Sequence, residues 1–316
     1  MKRCAYVLYI VLLYGCIHDF NPNGVFLNSF EKKIVVNSLL CPDSCISIRI
    51  NWSQKFGDSS PFSAVTQGYL KLYENDVLVY HNSIRGEVVR TLHRAQGGHK
   101  YRVIVTVPHQ NEVCAETVIP EKTDFNVIYL RNNTNYTVFK MTDIFVNSNV
   151  KAVWIVCLVN YADSTFVQSD ELYADNPFLD PINSSLEQMD VADRESSILF
   201  ERFIRIRTSM LRNALPVQFS IRNPGDKSVY PEDNGKPVVT KMTDLTVVLI
   251  TPSPEYDAYF RSGYKQYMYS NSTDNPLLYE PVSVYSNVKN GLGIFAGYSS
   301  NEKDFSKLQF EPDESN

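Results

Sequence analysis

The chain has 316 residues, of which 30 are Lys or Arg and 35 are Asp or Glu, so its formal net charge is -5. This length is about twice that of a common domain, which excludes a short peptide and predicts one or two domains with hydrophobic cores. Because phosphate binding needs clustered Lys and Arg, the acidic balance gives no reason to expect a nucleic-acid partner.

The N-terminus has the pattern of a secretory signal that ends in a lipid-attachment site. Lys2 and Arg3 precede an apolar run that starts at Ala5 and ends at Leu13. As a helix, residues 5–15 would span about 16 Å, whereas the hydrocarbon core of a membrane is about 30 Å thick. Residues 13–16 read Leu-Tyr-Gly-Cys, which resembles a bacterial lipobox, whose cysteine receives a diacylglycerol. We predict a signal peptide over residues 1–15 and a lipid on Cys16. The alternatives are an ordinary signal peptide with an incidental cysteine, or a buried apolar N-terminal segment.

A lipid, and not a basic surface, is expected to hold the mature protein on a membrane. Removing residues 1–15 also removes Lys2 and Arg3, so the net charge becomes -7. Several acyl chains, at about 0.8 kcal/mol per buried CH₂, give stable attachment. We expect an outer-membrane location, on either the periplasmic or the surface face, and a flexible tether over residues 16–32.

Residues 33–120 are predicted to form an immunoglobulin-like β-sandwich. Apolar side chains alternate with polar ones over residues 46–52, which indicates a half-buried strand. The sequence Glu74-Asn75-Asp76 between two apolar segments predicts a hairpin. Seven short strands in about 90 residues are typical of an immunoglobulin-like sandwich. They are predicted near residues 34–36, 46–52, 68–73, 77–80, 88–92, 101–107 and 113–119.

A domain boundary is predicted at residues 120–123. Residues 121–310 are then predicted to form a larger β-rich domain, either a sandwich or barrel-like, with one or two helices. The apolar run at 150–161 is too long for an edge strand and predicts a central one, whereas residues 198–207 fit either a strand or a helix. Ser253, Pro254 and Glu255 supply an N-cap, a first-turn proline and an acid, which predict a helix over about residues 254–269. Residues 162–194 are interpreted as a long insertion and residues 311–316 as an acidic tail. Further strands are predicted at residues 125–130, 138–145, 217–221 and 245–250.

The segment from Glu280 to Ser299 combines an Asn-containing turn with glycines that flank a short apolar strand. It resembles the C-terminal signature of the lipoproteins classed as domain of unknown function 4249, common in the Bacteroidota. Cys16 and residues 34–44, 69–80, 101–103, 115–120 and 253–256 are similar to that family in order and position, although Cys41 and Cys45 are not part of the pattern. The resemblance covers nearly the whole mature chain. It implies an envelope lipoprotein, typically encoded near TonB-dependent outer-membrane transporters, and it implies no catalytic residues.

Four residues of this segment are candidates for a special turn: Asn287, Asn290, Gly291 and Gly293. Its glycines are expected to need positive φ. The turn can be structural, or its backbone amides can form a nest that binds an anion. We interpret it first as a structural turn and second as a ligand loop.

The sequence contains no motif that predicts catalysis, a metal site or a cofactor. A nucleophile elbow, an HExxH helix, a P-loop and a dinucleotide fingerprint are all missing. The five His residues include no pair at metal-binding spacing, and His93 and His99, which flank a turn, are expected to be solvated. Cys41 and Cys45 bracket a short turn, so they are either a local disulfide or two free thiols.

Three functional hypotheses follow from the sequence. The first is a non-enzymatic outer-membrane lipoprotein that serves as a binding or accessory component of a TonB-dependent transporter, with an unidentified ligand. The second is a structural or adhesive surface protein, in which the sandwich contacts other proteins. The third is a hydrolase that uses carboxylates of the insertion, such as Asp170, Glu171 and the acids at residues 190–195.

Overall fold

The computed structural model describes most of the chain between residues 30 and 310. The predicted signal peptide with Cys16, most of the predicted insertion at 162–194 and the acidic tail lie outside the described residues. Those described are residues 30–55, 58–132, 136–147, 149–161, 165–167, 172–173, 204–208, 217–222, 227–229, 238–240, 242–271, 283–304 and 309–310.

The described residues form nineteen strands and one helix, which confirms the prediction of a mainly β protein. The helix is α1 (Pro254–Asn271). The strands of the first half are β1 (Ile34–Leu40), β2 (Cys45–Trp52), β3 (Tyr69–Glu74), β4 (Val77–Ser83), β5 (Val88–Arg94), β6 (Lys100–Thr106) and β7 (Val113–Val118). Those of the second half are β8 (Asn126–Asn132), β9 (Tyr136–Thr142), β10 (Ala152–Tyr161), β11 (Thr165–Val167), β12 (Leu172–Tyr173), β13 (Ile204–Arg207), β14 (Val217–Arg222), β15 (Lys227–Val229), β16 (Val238–Thr240), β17 (Met242–Pro252), β18 (Leu292–Asp304) and β19 (Gln309–Phe310).

The first seven strands form the predicted immunoglobulin-like sandwich, and β18 adds an eighth strand to it. One sheet has the order β4-β3-β6-β7. The other contains β5, β2 and β1, and β18 pairs parallel to β1 over six residues that end with Leu40 opposite Gly297. Phe295 of β18 is fully buried in the same hydrophobic core as the first-half strands. The predicted module of residues 33–120 is therefore completed by residues from far beyond its predicted boundary.

Strand β18 also belongs to the second half of the chain. Its later residues pair antiparallel with β17, from Tyr298 opposite Pro252 to Asp304 opposite Thr246. β17 in turn pairs with β10, which has β11 and β13 along its other edge. β10 is therefore a central strand, as the long apolar run predicts, and one eight-stranded sheet crosses the boundary at residues 120–123.

The remaining described strands form a separate sheet and a hairpin. The sheet has the order β12-β14-β9-β8-β19, and β15 pairs with β16. In the segment whose periodicity fits both a strand and a helix, residues 204–207 form a strand, β13, because they pair with β10. Tertiary pairing thus decides a choice that periodicity leaves open.

The sandwich core forms because alternate residues of its strands face inward. Tyr101 at the start of β6 is fully buried, and its hydroxyl accepts a hydrogen bond of 2.9 Å from the backbone N–H of Gln96. This bond from a buried tyrosine to the preceding corner resembles the tyrosine corner of immunoglobulin-like domains. Other core residues with at most 1% exposure include Ile48, Ile50, Leu70, Leu72, Val103 and Val105.

Helix α1 starts where the sequence predicts. The side-chain oxygen of Ser253 accepts a hydrogen bond of 3.3 Å from the N–H of Tyr256, which caps the first turn. Phe260 and Tyr264, four residues apart, are buried on the face that packs against β17 and β18. The helix N-terminus therefore lies next to the strand that joins the two halves.

Candidate functional site

The side chain of Asn287 forms hydrogen bonds that link its own turn to strands β7 and β18. Its side-chain nitrogen donates to the carbonyl of Phe295 at 2.7 Å and to that of Glu116 at 3.0 Å, and its side-chain oxygen accepts from the N–H of Phe295 at 3.0 Å. Glu116 lies on the edge strand β7, whereas Phe295 lies on β18. The side chain therefore joins two strands and has little remaining capacity for a ligand.

The other candidate residues of the turn also contact the protein itself. The side-chain nitrogen of Asn290 donates to the carbonyl of Glu112 at 2.9 Å. Gly293 has φ +107°, and a Cβ there would lie 2.3 Å from the carbonyl oxygen of Val36. The expectation of positive φ is wrong for Gly291, because the neighbouring Asn290 adopts positive φ (58°) instead. A Cβ on Gly291 would still lie 2.7 Å from the carbonyl oxygen of Ile34, so this glycine is needed for close packing. This geometry favours the structural-turn interpretation over the ligand loop.

Cys41 and Cys45 are free thiols in the structure, which does not contain the alternative disulfide. They lie at the two ends of the turn between β1 and β2, and Cys45 is exposed. Burial, followed by the neighbouring Cys41 thiol, raises the pKa of Tyr298 to about 12. The predicted lipid-bearing Cys16 is outside the described residues.

The expectation that His93 and His99 are solvated is wrong, because both side chains bind Glu74. His93 Nε2 lies 2.9 Å from one carboxylate oxygen, and His99 Nδ1 lies 2.8 Å from the other. The hydroxyl of Tyr101 donates to the same carboxylate. Burial raises the pKa of Glu74, but the hydrogen bonds from Tyr101 and His99 outweigh this effect, so its pKa is lowered. The sequence contains no signal for this cluster, since its members come from three different strands and a turn.

Within the described residues, no group of three or more His, Cys, Asp or Glu side chains is arranged to hold a metal ion. No helix of the described chain has the length and apolar character needed to cross a membrane. The acids proposed for a hydrolase, Asp170, Glu171 and those at residues 190–195, lie outside the described residues.

A buried ion pair fixes the N-terminal turn of α1. Arg205 of β13 donates from Nε to Oδ1 of Asp257 at 2.7 Å and from a terminal nitrogen to Oδ2 at 2.6 Å, and both side chains are almost fully buried. Trp154 of β10 donates to the same carboxylate at 3.3 Å. Two-point pairing of this kind restricts orientation as well as position. The start of α1 is therefore held rigidly on the sheet.

A cleft of about 690 Å³ lies at the junction of the two halves, beside this helix N-terminus. Its walls are the end of β7 and the segment after it (118–123), the loop after β9 (145–147 and 149–150), and residues 254–255. The volume falls within the range of about 300–1,000 Å³ that is typical of ligand sites, which favour domain junctions. The sequence indicates the position of the cleft only through the predicted domain boundary at residues 120–123.

The cleft exposes apolar side chains next to carboxylates. Phe145 is 79% exposed and Val118 is 46% exposed, although both are large and apolar. Glu255, in the first turn of α1, accepts a hydrogen bond of 2.8 Å from the hydroxyl of Thr117. A second cavity of about 570 Å³, between residues 42–43 and 94–97, shares Glu121 and Lys122 with the cleft. The two cavities thus adjoin at residues 121–122.

Comparison with solved structures finds a weak similarity to a segment of two fibronectin type-III domains from chicken tenascin. The sequence identity is 7%, the TM-score is 0.20, and the match covers 70% of this chain and 91% of that one. A TM-score this low does not establish a shared fold. Among proteins with curated functional descriptions, none matches the chain.

A family model shows what the chain is related to. The model described as Domain of unknown function (DUF4249) matches residues 20–304. This match includes both halves of the fold, the shared strand β18, the turn at residues 287–293 and the junction cleft. The chain therefore belongs to the family described as Domain of unknown function (DUF4249).

Proposed function

We propose that the protein is a non-enzymatic lipoprotein of the bacterial outer membrane, which binds a ligand or partner in the junction cleft as an accessory component of a TonB-dependent transporter. The observation that carries the binding role is the cleft itself. An exposed phenylalanine in a concave junction costs solvation free energy unless a ligand covers it, and such exposed apolar surface is a frequent mark of binding sites.

The membrane attachment rests on the sequence pattern at residues 13–16. With a mature net charge of -7, electrostatic attraction to anionic lipids would not hold the protein on a bilayer, so acyl chains on Cys16 would have to do so. A Cys16→Ala variant should therefore lose radiolabelled fatty acid and remain soluble after cell fractionation. Cys45→Ala, which removes an exposed thiol, is the matched control. Unchanged acylation of Cys16→Ala would refute the anchor.

The transporter partnership is tested by mild cross-linking and purification of the native protein from its own cells, followed by mass spectrometry. We expect a TonB-dependent transporter to be enriched with the wild-type protein and lost with Phe145→Ala. Phe62→Ala, which removes another exposed aromatic side chain (64%) from a loop that does not line the cleft, should retain the transporter. Absence of any transporter at native expression would contradict the partnership.

A further inference from the structure

We propose that the junction cleft binds a cationic group, the guanidinium or ammonium of an Arg or Lys side chain that the partner presents. This inference rests on the binding role proposed above and specifies its chemistry. It is carried by three side chains that line the same cleft: Phe145, Glu121 and Glu255.

Phe145 provides an open aromatic face. Because its side chain is 79% exposed, a ligand can approach the ring without displacing protein atoms. A cation over such a ring is attracted by the negative face of the π system. The ring also packs against the methylene groups of a long cationic side chain, which contribute apolar contact.

Glu255, in the first turn of α1, provides a carboxylate in the same lining. The hydroxyl of Thr117 donates to one of its oxygens at 2.8 Å, and the second oxygen has no hydrogen bond to another described residue. Its negative charge reaches its surroundings, since the pKa of Tyr285 is raised first by burial and then by the charge of Glu255. The Arg205 and Asp257 pair keeps the helix turn that carries Glu255 in place.

Glu121 provides a second carboxylate in the lining of the cleft, and it also lines the neighbouring cavity. Among the described residues it has no ion-pair partner. Lys122 contributes an opposing positive charge to the same lining. Two carboxylates against one ammonium give the lining a net charge of -1, which exceeds the partial charge of about +0.5 at the N-terminus of α1. The cleft is therefore negative on balance, and a cation gains charge-assisted hydrogen bonds there.

The direct test compares two probes that differ in charge but hardly in shape. N-acetyl-arginine amide carries a guanidinium, whereas N-acetyl-citrulline amide carries a neutral urea group. Binding to the mature chain in detergent can be measured by saturation-transfer NMR on the probe signals. We expect the arginine probe to bind at least five times more tightly than the citrulline probe, with the difference shrinking at high salt. Equal binding of the two probes, or no binding of either, would overturn the proposal.

Variants then test the role of each lining residue, because the proposal predicts whether each substitution weakens or strengthens binding of the arginine probe. Phe145→Ala and Glu121→Gln should each weaken the arginine probe about two- to fivefold. Lys122→Met should strengthen binding of the arginine probe, because Lys122 is the only cationic side chain among the described residues that line the cleft. Phe62→Ala and Glu112→Gln, outside the cleft, should change nothing. A weakening by Lys122→Met would contradict the charge model.

The two proposals can fail separately. If Phe145→Ala loses the transporter but the arginine probe does not bind, the cleft is a binding site for a different chemistry. If the probe binds as expected but no transporter is recovered, the cation site stands and the proposed partnership fails.

Discussion

The hydroxyl of Ser253, which caps helix α1, lies 3.3 Å from the backbone nitrogen of Gly297 in β18 and accepts a hydrogen bond from it. The same oxygen accepts the N–H of Tyr256, and the backbone N–H of Ser253 donates to the carbonyl of Gly297 at 2.8 Å. One fully buried serine thus joins the start of the helix to the strand that both halves share.

Ser253→Ala should therefore destabilise the protein by about 1–2 kcal/mol, because it removes the N-cap and leaves a buried N–H without its acceptor. The free energy of unfolding in urea measures the effect. Ser59→Ala, at an exposed position, is the control. A midpoint unchanged by Ser253→Ala would mean that the cap contributes nothing.

Gly293→Ala should destabilise the protein by about 1–3 kcal/mol. Its φ of +107° is unfavourable for any residue with a Cβ, and the added carbon would meet the carbonyl oxygen of Val36 at 2.3 Å. Gly86→Ala is a matched control, because no atom lies within 4 Å of a Cβ at that position. Thermal unfolding of the two variants should differ clearly; equal melting temperatures would argue against the close approach of β1 and β18.

Asp257→Asn should cost about 3–5 kcal/mol, since it removes the carboxylate charge that forms the two-point pair with the buried guanidinium of Arg205. The double change Arg205→Met with Asp257→Leu should restore part of that loss, because no buried charge remains. Asp124→Asn changes an exposed carboxylate that lies 3.3 Å from Lys303, and it should leave the urea midpoint unaltered. A double variant less stable than the single one would contradict this explanation.

Glu74 makes the stability of the sandwich dependent on pH. Its pKa in the folded protein is lowered from 4.5, so the fold favours the charged form and gains stability at higher pH. That contribution is complete above about pH 4.5 and is lost as the pH falls through the lowered pKa. We expect urea midpoints measured from pH 3 to pH 7 to fall more steeply in the wild type than in Glu74→Gln. Identical profiles would show that the histidine and tyrosine contacts are not energetically coupled to Glu74.

Thiol reactivity should separate Cys45 from Cys157. Cys157 of β10 is fully buried, and burial raises its pKa to about 12, so it should react with Ellman's reagent only after unfolding. Cys45 is exposed and should react in the folded protein, in a phase that Cys45→Ala removes. If two additional thiols appear only after reduction, Cys41 and Cys45 are bonded in the isolated protein.

Local patterns were sufficient for most elements of the fold. Alternating apolar residues identify β2 and β6 because a half-buried strand exposes every second side chain. Ser253-Pro254-Glu255 identifies the helix start because the cap acts within one turn. Both signals depend on residues only a few positions apart, so a single amino-acid sequence is enough to recognise them.

Contacts between distant residues could not be predicted in this way. Ile294 donates to the side chain of Asn37, which is 257 residues away, and nothing in either neighbourhood identifies the partner. His93 and His99 lie 19 and 25 residues from Glu74, and only the packing of both sheets brings them to one carboxylate. The junction cleft also depends on contacts between distant residues. The boundary at residues 120–123 was predictable from the sequence, but only the tertiary structure brings Phe145 and Glu255 next to it.

The position of β18 has a consequence for how the protein forms. During synthesis, β1 emerges early, but its parallel partner emerges about 250 residues later, so that edge of the sandwich stays unpaired for most of the process. Pairings of such high contact order form slowly, and an open strand edge promotes aggregation until they form. The N-terminal module should therefore not fold as a stable unit by itself, and truncation before residue 292 should expose β1 and lower the soluble yield.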